Sequence, residues 1–266
     1  MVVANPPQQF GELLRDWRQR RRLSQLELSL DSEISARHLS FMETGRSKPS
    51  RDMVARLAET LEVPLRERNL LLLAAGYAPL YTERPLESEQ MEPVRSVLDH
   101  FLRAHEPYPA LVVDRHHNLL AANDALGAII EGCAPELLEP PANTIRIALH
   151  PEGMAPRTVN FGEWSAHVIT RLRREVTITR DPVLEMLHAE VTAYPGVQSE
   201  FPAAGAEARE IFVPLRLREG ERQLAFISTI STFGTAVDIT LSELAIEAFY
   251  PANAETAMRM LREVGG

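Results

Sequence analysis

Capping and helix-breaking residues divide residues 10–76 into five short segments, and this spacing constrains the fold more than any other feature. Ser24, Ser35 and Ser50 each precede a short segment, Pro64 precedes the fifth, and Gly76 ends it. Apolar residues recur with the period of a helix, and in the first segment they are Phe10, Leu13, Leu14 and Trp17. The pattern predicts an all-α N-terminal domain of five helices.

The second and third segments form a distinctive pair. Two short helices joined by a tight turn, with small polar residues at the start of the second, are typical of a helix-turn-helix. Ile34 and Leu39 form a hydrophobic staple around the third segment. On these residues alone, a five-helix bundle with solvated charges remains the alternative.

Charge is distributed unevenly along the chain. The net charge is -9, yet residues 1–84 carry thirteen Lys plus Arg against eleven Asp plus Glu, whereas the remainder carries fifteen against twenty-six. Phosphate repels an acidic surface, so only the N-terminal part is suited to contact nucleic acid.

Three spaced motifs give this region a family resemblance. They are LSQ at 23–25, ETGR at 43–46 and KPS at 48–50. Over about residues 10–76 the chain resembles the lambda-repressor-like, or XRE-type, DNA-binding domains. The resemblance implies eight residues at the DNA: Ser24, Gln25, Ser35, Arg37, His38, Ser40, Arg46 and Lys48.

The resemblance also divides these residues by role. Gln25 and the N-terminal amides of helix two would clamp a phosphate. Helix three would present its outer side to the major groove, and the basic loop after it would contact the DNA backbone. For the outer side of helix three, a solvated surface is the alternative.

Two further positions follow from the same family. Arg18 in helix one and Glu43 in the E-x-G motif are expected to form a structural ion pair. The turn between helices two and three usually carries Gly because it needs a positive φ, and here Glu33 stands in it. We expect strain of about 1 kcal/mol at this turn.

The C-terminal part reads as a second domain. Residues 79–92 are rich in Pro and Glu and predict a linker between domains at 1–78 and 93–266. A hairpin around RHHN, several helices, and two alternating segments starting near Ile211 and Leu224 follow. This order predicts an α+β, PAS-like domain with an antiparallel sheet and a cavity under its helices.

Longer sequence stretches support the prediction of a PAS-like domain. The stretches LHPEGMAPR, W-x6-RLRR and FGTAVDITLSELAIEAFYPAN resemble the MmyB-like transcription regulators. That resemblance covers nearly the whole chain, and it implies a C-terminal domain that binds a small apolar ligand such as a fatty acid.

Candidate ligand residues share one helix and the facing sheet. Trp164, Val168 and Leu172 recur every fourth residue, and periodicity alone favours an ordinary packed core there. A ligand needs a few polar anchors in an apolar wall, and Arg171 could bind a carboxylate in two-pronged fashion. The predicted set is Val113, Asn123, Trp164, His167, Val168, Arg171 and Phe226.

Other functional classes find less support. Motifs of hydrolases, zinc proteases and phosphate-binding loops do not occur, so we expect no enzyme and no metal site. Cys133 is alone and receives no role. With no run of about 18 apolar residues and no signal peptide, we expect a cytoplasmic protein without membrane contact.

The sequence therefore predicts a homodimeric, ligand-responsive transcription regulator on an inverted-repeat site in double-stranded DNA. Two alternatives stay open. One is a repressor whose C-terminal domain only dimerises. The other is a sensor holding haem or flavin, with His150, His167 or His188 as axial ligand.

Overall fold

The computed structural model describes residues 9–201 and 211–263. The chain forms two compact units. The first holds the chain up to Pro85 together with Gly234–Ser242, and the second holds Leu86–Phe233 and Glu243 onwards. The boundary at Pro85 falls inside the predicted linker, and Gly234–Ser242, expected in the second domain, groups with the first unit.

Five helices build the N-terminal part of the first unit. They are α1 (Phe10–Arg20), α2 (Gln25–Asp31), α3 (Ala36–Glu43), α4 (Arg51–Thr60) and α5 (Leu65–Ala74). The hydroxyls of Ser24, Ser35 and Ser50 each accept a hydrogen bond from the backbone N–H three residues on, which fixes the start of α2, α3 and α4. The five-helix prediction is confirmed.

Apolar side chains from all five helices meet in one core. Its fully enclosed members include Leu14, Leu28, Leu39, Met42, Leu57 and Leu71. Gly11 lies where α1 crosses α3, and a Cβ there would come 2.5 Å from the Met42 carbonyl oxygen. Only a glycine permits this approach, because any side chain would meet the backbone of α3.

The turn between α2 and α3 has the geometry that the sequence predicts. Glu33 adopts φ +56°, in the left-handed region that glycine occupies without cost. Its carboxylate is exposed. Glu33 therefore adopts the conformation that the turn requires with some backbone strain. Its exposed side chain makes few contacts that could offset this strain.

A short segment from late in the chain completes the first unit. Helix α12 (Ile239–Ser242) belongs to it, and the Ile239 N–H donates to the Thr82 carbonyl at 2.9 Å. Arg84 Nη1 lies 2.7 Å from Asp238 Oδ2, and the Asp238 side chain is nearly enclosed. Residues 82–84 are thereby held by a segment more than 150 positions away.

The second unit is built on a five-stranded antiparallel sheet. Its strands are β1 (Ala110–Val113), β2 (Leu119–Ala122), β3 (Leu215–Glu219), β4 (Arg222–Thr232) and β5 (Ala245–Pro251). Their order across the sheet is β2-β1-β5-β4-β3. Leu111 pairs with Glu247, and Ser228 pairs with Phe249. The last strand in sequence thus lies at the centre.

Helices accompany this sheet. They are α6 (Glu92–His105), α7 (Gly127–Ile130), α8 (Pro135–Leu138), α9 (Thr144–Leu149), α10 (Phe161–Thr179), α11 (Pro182–Thr192) and α13 (Ala254–Glu263). Asp181 caps α11 by accepting from the Val183 N–H at 2.8 Å. The main core includes Trp164, Ile169, Leu187, Leu215 and Phe226. The predicted α+β fold class is confirmed.

Two details of the strand prediction are wrong. The strand expected from Ile211 begins at Leu215, and Ile211 is fully exposed, because Pro214 cannot donate to a ladder and stands just before the edge strand. The central strand β5 was not expected at all. Its sequence AIEAFYP places a glutamate among buried apolar residues, which breaks the alternation that signals a strand.

Candidate functional site

The outer side of α3 carries the residues expected at DNA. Arg37 is exposed, with its guanidinium over the Phe41 ring at 5.4 Å, whereas His38 and Ser40 are half-buried. His38 Nε2 lies 3.3 Å from Ser47 Oγ, so its ring is turned toward the loop that follows α3. Arg37 therefore projects furthest toward solvent of the three.

The basic loop after α3 is folded tightly. Gly45 adopts φ +71°, and the N–H groups of Arg46 and Ser47 both donate to the Phe41 carbonyl. Arg46 and Lys48 are exposed, and neither forms an ion pair within residues 9–201 and 211–263. The positive charge of this loop is therefore available to an external anion.

The start of α2 has a capping box. Ser24 Oγ accepts from the Glu27 N–H at 3.1 Å, and the Glu27 carboxylate accepts from the Ser24 N–H at 2.7 Å. Gln25 turns inward and its Nε2 donates to Glu43 at 2.8 Å. One donor of the predicted phosphate clamp is thus used within the protein.

Glu43 is the centre of a buried ionic network. Arg18 Nε and Nη2 donate to its two carboxylate oxygens at 2.6 and 2.9 Å, and Arg15 adds a longer contact at 3.4 Å. Burial alone would raise the pKa of Glu43, but the hydrogen bonds from Arg18 and Gln25 outweigh it and hold that pKa below its usual value. The expected Arg18–Glu43 pair is present.

The second unit encloses a small cavity between its sheet and its helices. The wall is mostly apolar, with Leu111, Leu126, Ile147, Val168 and Phe249 among its members. The volume of the cavity is ≈ 60 Å³. Ligand pockets commonly measure about 300–1,000 Å³. A drug-sized or lipid-sized ligand would therefore need the wall to move outward.

Helix α10 presents three predicted ligand residues to this cavity. Trp164, Val168 and Arg171 line it at successive turns of one face. Trp164 Nε1 and Arg171 Nε are both buried and have no hydrogen-bond partner among the described residues. Two buried donors without protein acceptors in one cavity wall are uncommon, and a molecule that accepts hydrogen bonds would satisfy them.

The other four predicted ligand residues lie around the cavity and outside its wall. His167 packs beside the Trp164 ring at 5.7 Å, and burial, together with the nearby Arg171, lowers its pKa. Asn123 bonds to the Ala110 N–H and to the Leu102 and Tyr108 carbonyls. Val113 and Phe226 belong to the main core.

Sequence reasoning missed one ionisable member of the wall, Glu247 on β5. It is 8% exposed, and its Oε1 lies 3.5 Å from Arg171 Nη1. The available signal was a single glutamate within an apolar run. Of the described wall residues, Arg171 and Glu247 are the ionisable ones.

The histidines considered as axial ligands lie apart from the cavity wall. His150 stacks edge-on against Tyr194, and the burial of His188 lowers its pKa. Among the described residues, no group of three or more His, Cys, Asp or Glu could hold a metal ion. No helix in the described ranges is long and apolar enough to cross a membrane.

Comparison with protein-family models gives two matches. Residues 9–71 match a helix-turn-helix domain, and residues 94–262 match the MmyB-like transcription regulator ligand binding domain. A search of curated proteins found no match. The two domains together are those of a transcription regulator that binds DNA and a small molecule. Because the second match covers more than half of the 266 residues, the chain belongs to the family of MmyB-like transcription regulators.

Proposed function

We propose that this protein regulates transcription in the cytoplasm by binding an inverted-repeat DNA site as a homodimer, and that a small apolar ligand in the second unit changes its DNA affinity. The observation that carries the proposal is the cavity, where two buried donors, Trp164 Nε1 and Arg171 Nε, have no acceptor within residues 9–201 and 211–263, in a chain that also has a helix-turn-helix. A dimer would place two α3 helices in major grooves one DNA turn apart, about 34 Å.

The DNA-facing residues have different proposed roles. Arg37 would read base edges in the major groove, and Arg46 and Lys48 would neutralise phosphates without reading sequence. Ser24 and Ser35 would orient the N-termini of α2 and α3 toward the DNA backbone. His38 and Ser40, which have shorter side chains than Arg37, would face the major groove beside it. The exposure of Arg37, Arg46 and Lys48 supports this division.

The ligand is proposed to be a molecule with an apolar body and one polar end. A fatty acid is the example that the family resemblance implies. Trp164, Val168 and Arg171 would contact it directly, while Val113, His167 and Phe226 would support the wall from behind. No catalytic role and no metal or prosthetic group is included in the proposal.

Ligand binding in the second unit could affect the first unit through two connecting parts of the chain. One is the linker after α5. The other is Gly234–Ser242, which belongs to the first unit but is continuous with β4 and β5, and β5 carries the wall residues Glu247 and Phe249. A ligand that shifts β5 would act on this segment through its differential affinity for the two states.

The direct test combines extraction with a DNA titration. Purified full-length protein is extracted with organic solvent, and the extract is examined by mass spectrometry. We expect a stoichiometric apolar molecule, whose removal and return change the affinity for an operator selected from random DNA. An operator affinity that no extracted molecule alters would contradict the ligand-responsive function.

The cavity of ≈ 60 Å³ favours a second candidate, a repressor whose C-terminal domain only dimerises. The two candidate functions predict different results for the purified protein in solution. A ligand-free extract together with tight operator binding by a stable dimer would support the second candidate, because the cavity would then be no more than a packing defect.

A further inference from the structure

We infer that Glu247 sets the charge of the ligand, so that the cavity accepts an apolar molecule with an uncharged head group, an alcohol or a carboxamide, in preference to a carboxylate. This inference rests on the proposed ligand function and deepens it. A neutral head group differs in charge from the fatty acid anion that the family resemblance implies.

The position of Glu247 is fixed by the sheet. It lies on central strand β5, directly opposite Leu111 of β1, and Phe249 two residues on also lines the cavity. Side chains alternate along a strand, so Glu247 and Phe249 share the face toward the cavity. The glutamate therefore cannot turn to solvent without a change in strand register.

The positive and negative charges at the polar end of the cavity already balance each other. Arg171 and Glu247 are the ionisable groups of the described wall, and they face each other at 3.5 Å. His167 stands behind them with a lowered pKa, because burial and the positive charge of Arg171 disfavour its protonation. No second cation of the described wall is present to balance an incoming anion.

A carboxylate ligand would meet two unfavourable choices. It could lie beside Glu247, where two like charges in an apolar site disfavour each other's ionisation. Otherwise it could take Arg171 away from Glu247, which would leave the glutamate buried and unpaired. Both choices weaken binding relative to a neutral head group of the same size.

An uncharged head group fits the available donors and acceptor. Trp164 Nε1–H and Arg171 Nε–H have no acceptor in the described part of the chain, and the Glu247 carboxylate can accept further hydrogen bonds. A hydroxyl or a carboxamide both accepts and donates, so it can satisfy these groups without adding charge. An ester accepts only, so it would offer Glu247 no donor beyond Arg171.

The test compares three ligands of equal chain length on delipidated full-length protein. Decanol, decanamide and decanoate are titrated at pH 8, with intrinsic tryptophan fluorescence and calorimetry as readouts. We expect the two neutral ligands to bind about tenfold or more tightly than decanoate, because the anion meets the Glu247 charge.

The matched variants are Glu247→Gln and Glu221→Gln. The first removes the charge inside the cavity, and we expect it to improve decanoate binding by about tenfold or more and to change decanol binding much less. The second removes one charge from the exposed turn between β3 and β4, and it should leave all three affinities unchanged. Melting curves verify that both variants fold.

The outcomes separate this inference from the proposed function. If wild-type protein prefers decanoate, the inference is overturned while ligand binding stands, and this comparison needs no variant. If none of the three ligands binds wild-type protein or Glu247→Gln, the inference and the apolar-ligand function are both contradicted.

Discussion

The Glu43 carboxylate is fully enclosed and receives hydrogen bonds from Arg18, Gln25 and Arg15. Its partners come from α1 and α2, and Glu43 itself ends α3, so one side chain ties three helices together. An unpaired guanidinium at this place would be costly, since Arg18 is also mostly buried. The network therefore stabilises the fold, and its contribution to DNA recognition is indirect.

Replacing this carboxylate should destabilise the first unit. We expect Glu43→Ala to lower the free energy of unfolding by about 3 kcal/mol, because it leaves Arg18 partly buried without its partner. Thermal and urea melts of the full chain measure this. Glu59→Ala on the exposed side of α4 is the matched control and should change stability by no more than about 0.5 kcal/mol. Equal melting curves for both variants would show that the network carries no stability.

The same residue predicts a dependence of stability on pH. The pKa of Glu43 in the folded protein lies below its ordinary value of 4.5, so its contribution is present above that value and is lost as pH falls through the folded pKa. Wild-type protein should therefore lose more stability than Glu43→Gln between neutral pH and about pH 3. Parallel stability curves for the two proteins over this range would disprove the linkage.

At the scale of elements, α3 combines two tasks. Its inner side packs through Leu39 and Met42, and its outer side carries Arg37 next to the basic loop. Its geometry relative to α1 depends on Gly11, where the two backbones nearly touch. Recognition and packing are thus coupled through one helix.

Gly11→Ala tests this coupling. The new methyl group would overlap the Met42 and Glu43 carbonyls, so we expect a loss of about 1–3 kcal/mol in stability from overpacking. Gly127→Ala is the control, because a Cβ there has no neighbour within 4 Å. Unfolding titrations of both variants decide the matter, and an unaffected Gly11→Ala would mean that α1 can shift without cost.

Variants of α3 and its loop should separate specific from non-specific binding. We expect Arg37→Ala to weaken operator binding by about 1–3 kcal/mol with little effect on random DNA, because it removes a base contact. Lys48→Ala should weaken both alike and reduce the salt slope by about one unit. Titrations at several salt concentrations measure both. If the two variants lose specific and non-specific affinity equally, the division of roles is wrong.

At the scale of the whole molecule, the chain passes between its two units three times. The second and third crossings lie on either side of Gly234–Ser242, a segment of the first unit that is inserted between β4 and β5. Asp238 anchors it, since its carboxylate is enclosed and pairs with Arg84. The first unit is therefore built from two parts of the chain that are far apart in sequence.

A double-mutant cycle on this anchor gives the corresponding prediction. Asp238→Asn keeps an acceptor oxygen but removes the charge, and we expect a loss of roughly 1 kcal/mol, reduced by the partial exposure of Arg84. The double variant with Arg84→Gln should lose less than the sum of the two single variants. Strict additivity in denaturant melts would show that the pair is not coupled.

The helix boundaries within residues 10–76 follow from local residue patterns. Ser24, Ser35 and Ser50 mark helix starts in any context, because a cap bonds to a backbone N–H three residues away. Caps of this kind can be identified from the order of residues alone. The left-handed conformation of Glu33 and the Arg18–Glu43 pair, whose members are 25 positions apart, were instead implied by the resemblance to the lambda-repressor-like domains.

The central features of the second unit depend on long-range packing. Strand β5 lies between β1 and β4 although it comes last in sequence, and its pairing with β1 joins residues more than 100 positions apart. The cavity wall unites Trp164 and Arg171 on α10 with Glu247 on β5, and no local pattern records this meeting. Local periodicity identifies which side of a helix is buried, whereas the residues it faces are fixed by long-range packing.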